Sequence, residues 1–464
     1  MNQQSSQHNN PFLTIYEFQI TFYNARMDIE TRYNLALDYI YSFVDYSLKK
    51  ADQLAAANFD LGRMRQFMAA LGNPQDRYPS LHVAGTKGKG SVSALCASAL
   101  TASGRATGLY TSPNLLDFTE RIQIDGQPIS HSDLASLTDE IKPIVAQIPQ
   151  LTTFEITTAL AFLYFSRQNV AAAVIEVGLG GRLDATNVIT PRVSVITSLS
   201  YDHMAVLGDT LAKIAGEKAG IIKPGVPVVS APQKPEALEV LKKVATERHA
   251  DLSLIGTDIL YEIQKFSLDG QTFRLSQPEQ APVTLQIPLL GAHQVVNAAT
   301  AYAALQQSGL SLSPDAISQG FANVRWPCRF EIASRANPTL IFDSAHNEDS
   351  FEKLAATIND YFPGRQVILI FGVSEDKHIA AMLSAIRPQL RQLIVARADH
   401  PRALEAGPIV ETAKTLAVAA EAAESVEAGL ARAMELSKIT DDVIVSAGSM
   451  FLTAEVKRAW LQQR

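Results

Sequence analysis

Cysteine is nearly absent from this 464-residue chain, which carries only Cys96 and Cys328. That excludes a disulfide framework or a cysteine-rich metal site and fits a reducing compartment. An excess of basic charge is also missing: 40 Lys and Arg against 47 Asp and Glu leave a net charge of −7. A broadly basic nucleic-acid surface is thereby excluded, though a local anion site is not. No apolar run reaches the ~18 residues that read as a membrane-spanning helix, so no membrane partner is expected. No Lys or Arg precedes Arg26, and Glu17 and Gln19 interrupt the only apolar candidate near the start, which speaks against a secretory signal. Residues 1–26 read as a loosely ordered extension, with Met27 a candidate start, and the expected location is the cytoplasm. Nor does any internal repeat stand out. What remains is a chain with 47% apolar and 19% charged residues, the balance of a globular protein. It is long enough for two or three domains.

The most informative stretch runs from Leu81 to Ser91, Leu-His-Val-Ala-Gly-Thr-Lys-Gly-Lys-Gly-Ser. A short apolar strand gives way to Gly85, Gly88 and Gly90, with Lys87 and Lys89 between them, and a helical run follows from Val92. Strand, glycine loop and helix start together make a phosphate cradle: glycines let backbone N–H groups turn toward an anion, and the helix N-terminus adds its positive end. A lysine supplies point charge, and Ser91 can offer a hydroxyl to Mg²⁺. The spacing departs from the common G-x-x-x-x-G-K-[ST] loop, because Gly90 separates Lys89 from Ser91. An ordinary glycine-rich turn is the alternative.

Downstream, strand and helix patterns alternate. Strands are predicted at 107–110, 171–177, 193–198 and 226–230, and helices at 132–146, 155–167, 210–219 and 234–248. That rhythm predicts a mainly parallel sheet covered by helices. Residues 253–288 read instead as short alternating strands with a hairpin at Asp269-Gly270. The βα rhythm restarts after about residue 325 with strands at 339–343, 366–371, 392–396 and 442–446 and intervening helices, giving a second, smaller Rossmann-like α/β unit. An Ala/Glu-rich patch at 416–433 reads as an exposed helix. The expected division is thus an extension (1–26), an ATPase-type unit with a small β subregion (27–325), and a second unit (326–464).

Polar residues cluster after predicted strand ends, where ligands lie in open α/β sheets. Ser112, Glu176, Asp202 and His203 are expected at one rim. Glu176 is a Mg²⁺ ligand, a helix cap or a lysine partner; His203 is a ligand or a structural histidine. Lys218 and Lys223 suit a helix C-terminus. Arg329, beside Trp326 and Pro327, is a phosphate clamp or an interdomain ion pair. Asp343 and His346 can hold a ribose or an amino acid, with an Asp or Asn cap of the next helix as the alternative.

Taken in order, Gly85–Ser91, Thr111-Ser-Pro113, Glu120-Arg-Ile122, Val174–Asn187, Asp202-His203, Glu217–Lys223, His293-Gln294 with Asn297-Ala298, Trp326–Glu331 and Asp343–Asn347 resemble the folylpolyglutamate synthase/dihydrofolate synthase family of the Mur ligase superfamily. The resemblance runs from about residue 28 to the C-terminus. It implies an ATP-binding loop made by Gly85, Thr86, Lys87, Gly88, Lys89, Gly90 and Ser91, with Asn297, Arg329 and Asp343 as further nucleotide residues. It implies Mg²⁺ held by Ser112, Glu176 and His203, and a carbamylated Lys218 that orients a second Mg²⁺. It places His346 with the incoming glutamate; Lys89, Lys218 and His346 are then the catalytic set. The substrates implied are ATP, L-glutamate and a reduced folate or dihydropteroate, joined through an acyl phosphate by a monomer. Three departures bear on substrate contacts: Cys328 where glycine is usual, Ser344 and Glu348 around Ala345-His346-Asn347, and Asn114 for a frequent histidine. A Mur ligase of another substrate would usually add a UDP-binding domain, for which the N-terminal region leaves little room. A P-loop kinase or ATPase would turn over without glutamate, and a non-catalytic relative would lack Lys89, Glu176 or His203.

Overall fold

The computed structural model describes residues 28–45, 60–336, 338–440 and 442–463. The expected extension at 1–26 lies outside them. Three sheets organise the chain.

The first sheet contains β1 (Ser80–Ala84), β2 (Thr107–Tyr110), β3 (Ile122–Ile124), β4 (Gln127–Pro128), β5 (Ala172–Glu176), β6 (Val193–Ile196), β7 (Val228–Ser230) and β8 (Leu252–Leu254), in the order β4-β3-β2-β5-β1-β6-β7-β8. Six of these strands run parallel, and β3 and β4 extend the β2 edge antiparallel. Alternate residues feed opposite faces. Ala172 and Val174 join a core with helices Lys89–Ala102 and Ala292–Gln307, while Ala173 and Ile175 join a second core with helix Thr153–Arg167. The helix Lys89–Ala102 is rich in Ala and Ser because it is enclosed on nearly every side. Gly320 of helix Pro314–Ala322 lies so close to it that an added Cβ would sit 2.3 Å from Ala99 Cα. Leu95 and Leu100 are fully buried there, each contributing about 1.5–3 kcal/mol.

A three-stranded antiparallel sheet, β9 (Leu260–Ser267), β10 (Gly270–Ser276) and β11 (Val283–Ile287), has its hairpin at the expected place. Leu252–Leu254 departs from expectation: it pairs parallel with β7 at the edge of the first sheet rather than joining the small one. The third sheet takes β12 (Glu331–Ser334), β13 (Leu340–Phe342), β14 (Val367–Phe371), β15 (Leu390–Val395), β16 (Ala420–Ala422) and β17 (Val443–Ala447) in the order β12-β13-β17-β14-β15-β16. Its buried strands, such as Val-Ile-Leu-Ile-Phe at 367–371, are apolar throughout because both faces are covered.

The 416–433 patch is not one exposed helix. Its Ala420–Ala422 segment pairs with β15 as an edge strand, and the helix starts only at Val426. Alanine and glutamate favour a helix locally, but an unpaired edge of a parallel sheet captured three of these residues. Helices Pro314–Ala322 and Ala406–Thr415 were not anticipated either. The first carries a legible signal, Ser313 as N-cap with Pro314 at the first helical position.

Candidate active site

The glycine loop does join strand to helix: β1 ends at Ala84 and the helix begins at Lys89. Its residues divide into two groups. The amides of Thr86 and Lys87 both donate to Ser198 O, at 3.0 and 3.1 Å, and the Thr86 hydroxyl is paired with Ser200. These two backbone positions fasten the loop to the end of β6 instead of facing an anion. The amides of Gly88, Lys89, Gly90 and Ser91, by contrast, have no protein acceptor among the described residues. Four open N–H groups at a buried helix start form an anion cradle in the physical sense.

Two glycines explain why no side chain is present there. Gly88 sits at φ 91°, where a Cβ would fall 2.3 Å from Asn297 Oδ1. Asn297 comes from helix Ala292–Gln307, where its Nδ2 donates to Gln294. A Cβ on Gly90 would fall 2.6 Å from Trp326 Cζ2. The glycine that separates Lys89 from Ser91 is thus required by the ring packed on it.

Lys89 reaches Glu176 at the end of β5, with Nζ 3.9 Å from Oε1. Glu176 Oε2 accepts one long hydrogen bond, 3.4 Å, from the Ser112 amide. Burial pushes the Glu176 carboxyl up to about 7, against the pull of Lys89. A buried carboxylate with so few partners is under-compensated, which fits a cation site. His203 sits at φ 49° before the short helix Met204–Leu207, with its side chain on the exposed rim of the site. Among the described residues no three His, Cys, Asp or Glu side chains form a metal-holding group. Of the three residues expected to hold Mg²⁺, Ser112 and Glu176 are in contact, through the Ser112 amide.

Lys218 is buried at the end of helix Leu211–Ala219 and donates to Gly85 O at 2.9 Å. Burial, then the Lys89 charge, brings its pKa down to about 7. Lys223, the other lysine of that stretch, donates to Asn187 O and stays structural.

The third sheet meets this rim through Asp202. Lys87 Nζ lies 3.1 Å from Asp202 Oδ2 and 2.8 Å from His346 Nε2. His346 Nδ1 donates to Ser344 O at 2.8 Å, which leaves Nε2 bare to accept from Lys87. The Lys87 charge, then burial, lowers the His346 pKa. Lys377 adds its Nζ 3.6 Å from Asp202 Oδ1. Burial works to raise the Asp202 pKa, but the ammonium groups of Lys87 and Lys377 beside it hold it far below the usual range. Lys377 was not anticipated, although it follows β14 by six positions, in the same post-strand setting that singled out the others.

Asp343 is held at the start of the second unit. Its carboxylate accepts from Phe330 N at 2.8 Å and Ala345 N at 2.7 Å. Burial raises its pKa, opposed by Arg329. The helix cap proves to be Asn347, whose side chain accepts from Ser350 N, so Asp343 is not spent on capping. Arg329 has no carboxylate within ion-pair distance among the described residues; its Nη1 donates only to Cys328 O. Cys328, where the family resemblance leads one to expect glycine, adopts φ 55°, a left-handed conformation that glycine takes freely.

The Thr111–Arg121 loop is ordered by Glu120, whose carboxylate accepts from the amides of Leu115, Leu116 and Asp117 at 2.7, 3.1 and 3.1 Å. Arg121 Nε donates to Asn114 Oδ1, and Leu115 packs against the core of the second unit.

Residues 83–305 match the Mur ligase middle domain, and residues 328–450 match the Mur ligase glutamate ligase domain. A dihydrofolate synthase/folylpolyglutamate synthase of Bacillus subtilis is 35% identical over 410 residues, covering 86% of this chain and 94% of the relative. The Mycobacterium tuberculosis folylpolyglutamate synthase solved with ADP superposes with a TM-score of 0.85 at 32% identity, covering 93% of this chain and 98% of that one. Escherichia coli FolC in complex with DHPP and ADP gives a TM-score of 0.83 at 31% identity, with 93% and 98% covered.

Proposed function

The chain belongs to the folylpolyglutamate synthase/dihydrofolate synthase family and is an ATP-dependent ligase; on that premise we propose that it joins L-glutamate to a folate-type carboxylate, a reduced folate, dihydropteroate or both. The observation that carries this reading is the direct contact between the anion cradle and the second unit. Lys87 leaves the phosphate loop to touch His346, so a nucleotide on the 88–91 amides lies next to a site on the third sheet.

In the proposed reaction a carboxylate oxygen of the acceptor attacks the γ-phosphorus of ATP, forming an acyl phosphate as ADP leaves. The glutamate amine attacks the acyl carbon and loses a proton. Phosphate then departs from the tetrahedral intermediate and the amide remains. Positioning and charge neutralisation carry such a sequence. The open amides of 88–91, Lys89 and Arg329 would face the phosphates, while Asn297 and Asp343 border the nucleotide. Ser112, Glu176 and His203 would hold Mg²⁺, which supplies charge neutralisation at the phosphates. Lys87 and Lys377 offer cations for the glutamate carboxylates. His346 has an unprotonated Nε2 that accepts from Lys87; to serve as a base for the amine it would exchange that donor for the incoming amino group.

Lys218 is proposed as a carbamate. A lysine near pKa 7 is about half unprotonated at neutral pH, so its free amine can add CO₂, forming an N–C bond and releasing one proton. The product is a carboxylate close to the metal side. An intact mass showing no added CO₂ on an active enzyme removes this part of the proposal. A monomer is proposed, and among the described residues no helix is long and apolar enough to cross a membrane. We propose that the enzyme acts in the cytoplasm, which the near absence of cysteine fits.

The test is phosphate release from ATP with dihydropteroate and with tetrahydrofolate, each with and without L-glutamate. Release that requires both glutamate and a pteridine acceptor is expected. Release independent of glutamate overturns the ligase reading in favour of an ATPase.

A further inference from the structure

The indole of Trp326 has a donor with nothing to donate to. Its Nε1 is buried, and no acceptor lies within hydrogen-bond distance among the described residues. An indole nitrogen can only donate. A buried N–H of this kind normally finds a partner, and leaving it unpaired is unfavourable.

The surroundings narrow down what the partner is. The ring packs on the first turn of helix Lys89–Ala102, where a Cβ on Gly90 would lie 2.6 Å from Cζ2 and 3.1 Å from Nε1. The edge that carries the N–H therefore runs along the very turn whose amides, Gly88 to Ser91, are also without acceptors. Five donors from two parts of the chain are unpaired at one place. The ring is also held there rather than resting there. It packs against the core of the first unit, and the backbone after it is fixed by Cys328 N donating to Glu331 at 2.9 Å and Phe330 N donating to Asp343 at 2.8 Å.

We propose that Trp326 is a nucleotide-binding residue whose indole N–H donates to a phosphate oxygen of the nucleotide seated on the Gly88–Ser91 amides. The inference rests on the nucleotide reading of the loop and adds to it a donor from the junction between the two units. Gly90 then has a definite purpose. By lacking a side chain it admits the ring close enough for its N–H to reach the phosphates.

The chain has only two tryptophans, so replacing Trp460 in the last helix isolates the signal of Trp326. In a Trp460→Phe protein, saturation with MgADP is expected to change the tryptophan emission. In the otherwise unchanged enzyme, Trp326→Phe keeps an aromatic ring and removes the N–H. It is expected to weaken ADP binding, measured calorimetrically, and raise the KM for ATP by about tenfold, the loss of one hydrogen bond to a charged group. The KM values for glutamate and the pteridine substrate should stay put. An ADP affinity within about twofold of the parent overturns the proposal. If Trp326→Phe does not fold, the emission measurement decides alone, and an emission unmoved by bound ADP sinks it. A parent enzyme that binds no MgADP would instead sink the nucleotide reading itself.

Discussion

The two walls of the site are built by different means. On the first-unit wall nearly every group is held by its own unit: Lys218 by the Gly85 carbonyl, the Thr86 and Lys87 amides by Ser198, the loop before Glu120 by that carboxylate. The wall is buried and its charges are desolvated, which is why Glu176 and Lys218 both shift to about 7. On the second-unit wall Asp343 and Asn347 are fixed locally, but His346 and Lys377 find their partners across the junction, at Lys87 and Asp202. One wall is preformed. The other takes its partners from across the junction.

Four experiments break or sharpen this contrast. Lys89→Ala should lower kcat by about a thousandfold, the scale of removing a charge-stabilising group from a transition state, with little change in thermal stability. Retained turnover would show that the preformed wall is not where phosphoryl transfer is stabilised. Asp202→Asn removes the anion that gathers Lys87, Lys377 and His346. The KM for glutamate should rise about tenfold to a hundredfold, as expected for losing a buried charged partner, while ADP affinity holds. Equal losses for both ligands would mean that Asp202 serves the whole site rather than the docked wall.

The third experiment concerns pH. Burial brings the Lys218 pKa down to about 7 in the folded protein, from the 10.5 ordinary for a lysine. Between these two values the unfolded chain binds a proton that the native chain lacks, so stability rises with pH across that window, by at most about 1.4 kcal/mol per unit from this one group. Below the window both states are protonated and the full burial penalty applies. Lys218→Met should flatten the slope in denaturant midpoints measured from neutral to alkaline pH; an unchanged slope would show that Lys218 is not desolvated as described. The smallest effect is expected from Cys328→Gly. Relief of left-handed strain, about 1–2 kcal/mol, offsets the lost burial of a small thiol of similar size. The apparent Tm should move by only a few degrees, and a large drop would mean that the thiol matters more to the junction than its φ of 55° does.

Much of the fold was legible because the chain announces its periods. Buried parallel strands such as 172–176 and 367–371 are continuous apolar runs, and most helices between them begin and end within a few residues of expectation. What escaped were the elements whose existence depends on a neighbour. The edge strands β3, β4, β12 and β16 are short and carry little pattern of their own; they form because an adjacent strand offers unpaired backbone groups. The site divides in the same way. Residues at the ends of long strands could be anticipated from position alone. Lys377 could not, since nothing local tells a lysine that meets Asp202 from one that meets water.

The sequence by itself determined that a glycine loop joins a strand to a helix start at 85–91, because strand, glycines, lysines and helix start follow one another along the chain and need only local geometry. Why Gly90 stands between Lys89 and Ser91 was decided by the tertiary structure alone. Trp326 lies more than two hundred positions away, and only folding brings its ring onto the first turn of the helix, where a single added methyl group would collide with it. Spacing along the chain records what a loop can bind; what a residue must leave room for depends on which distant surface the fold lays against it.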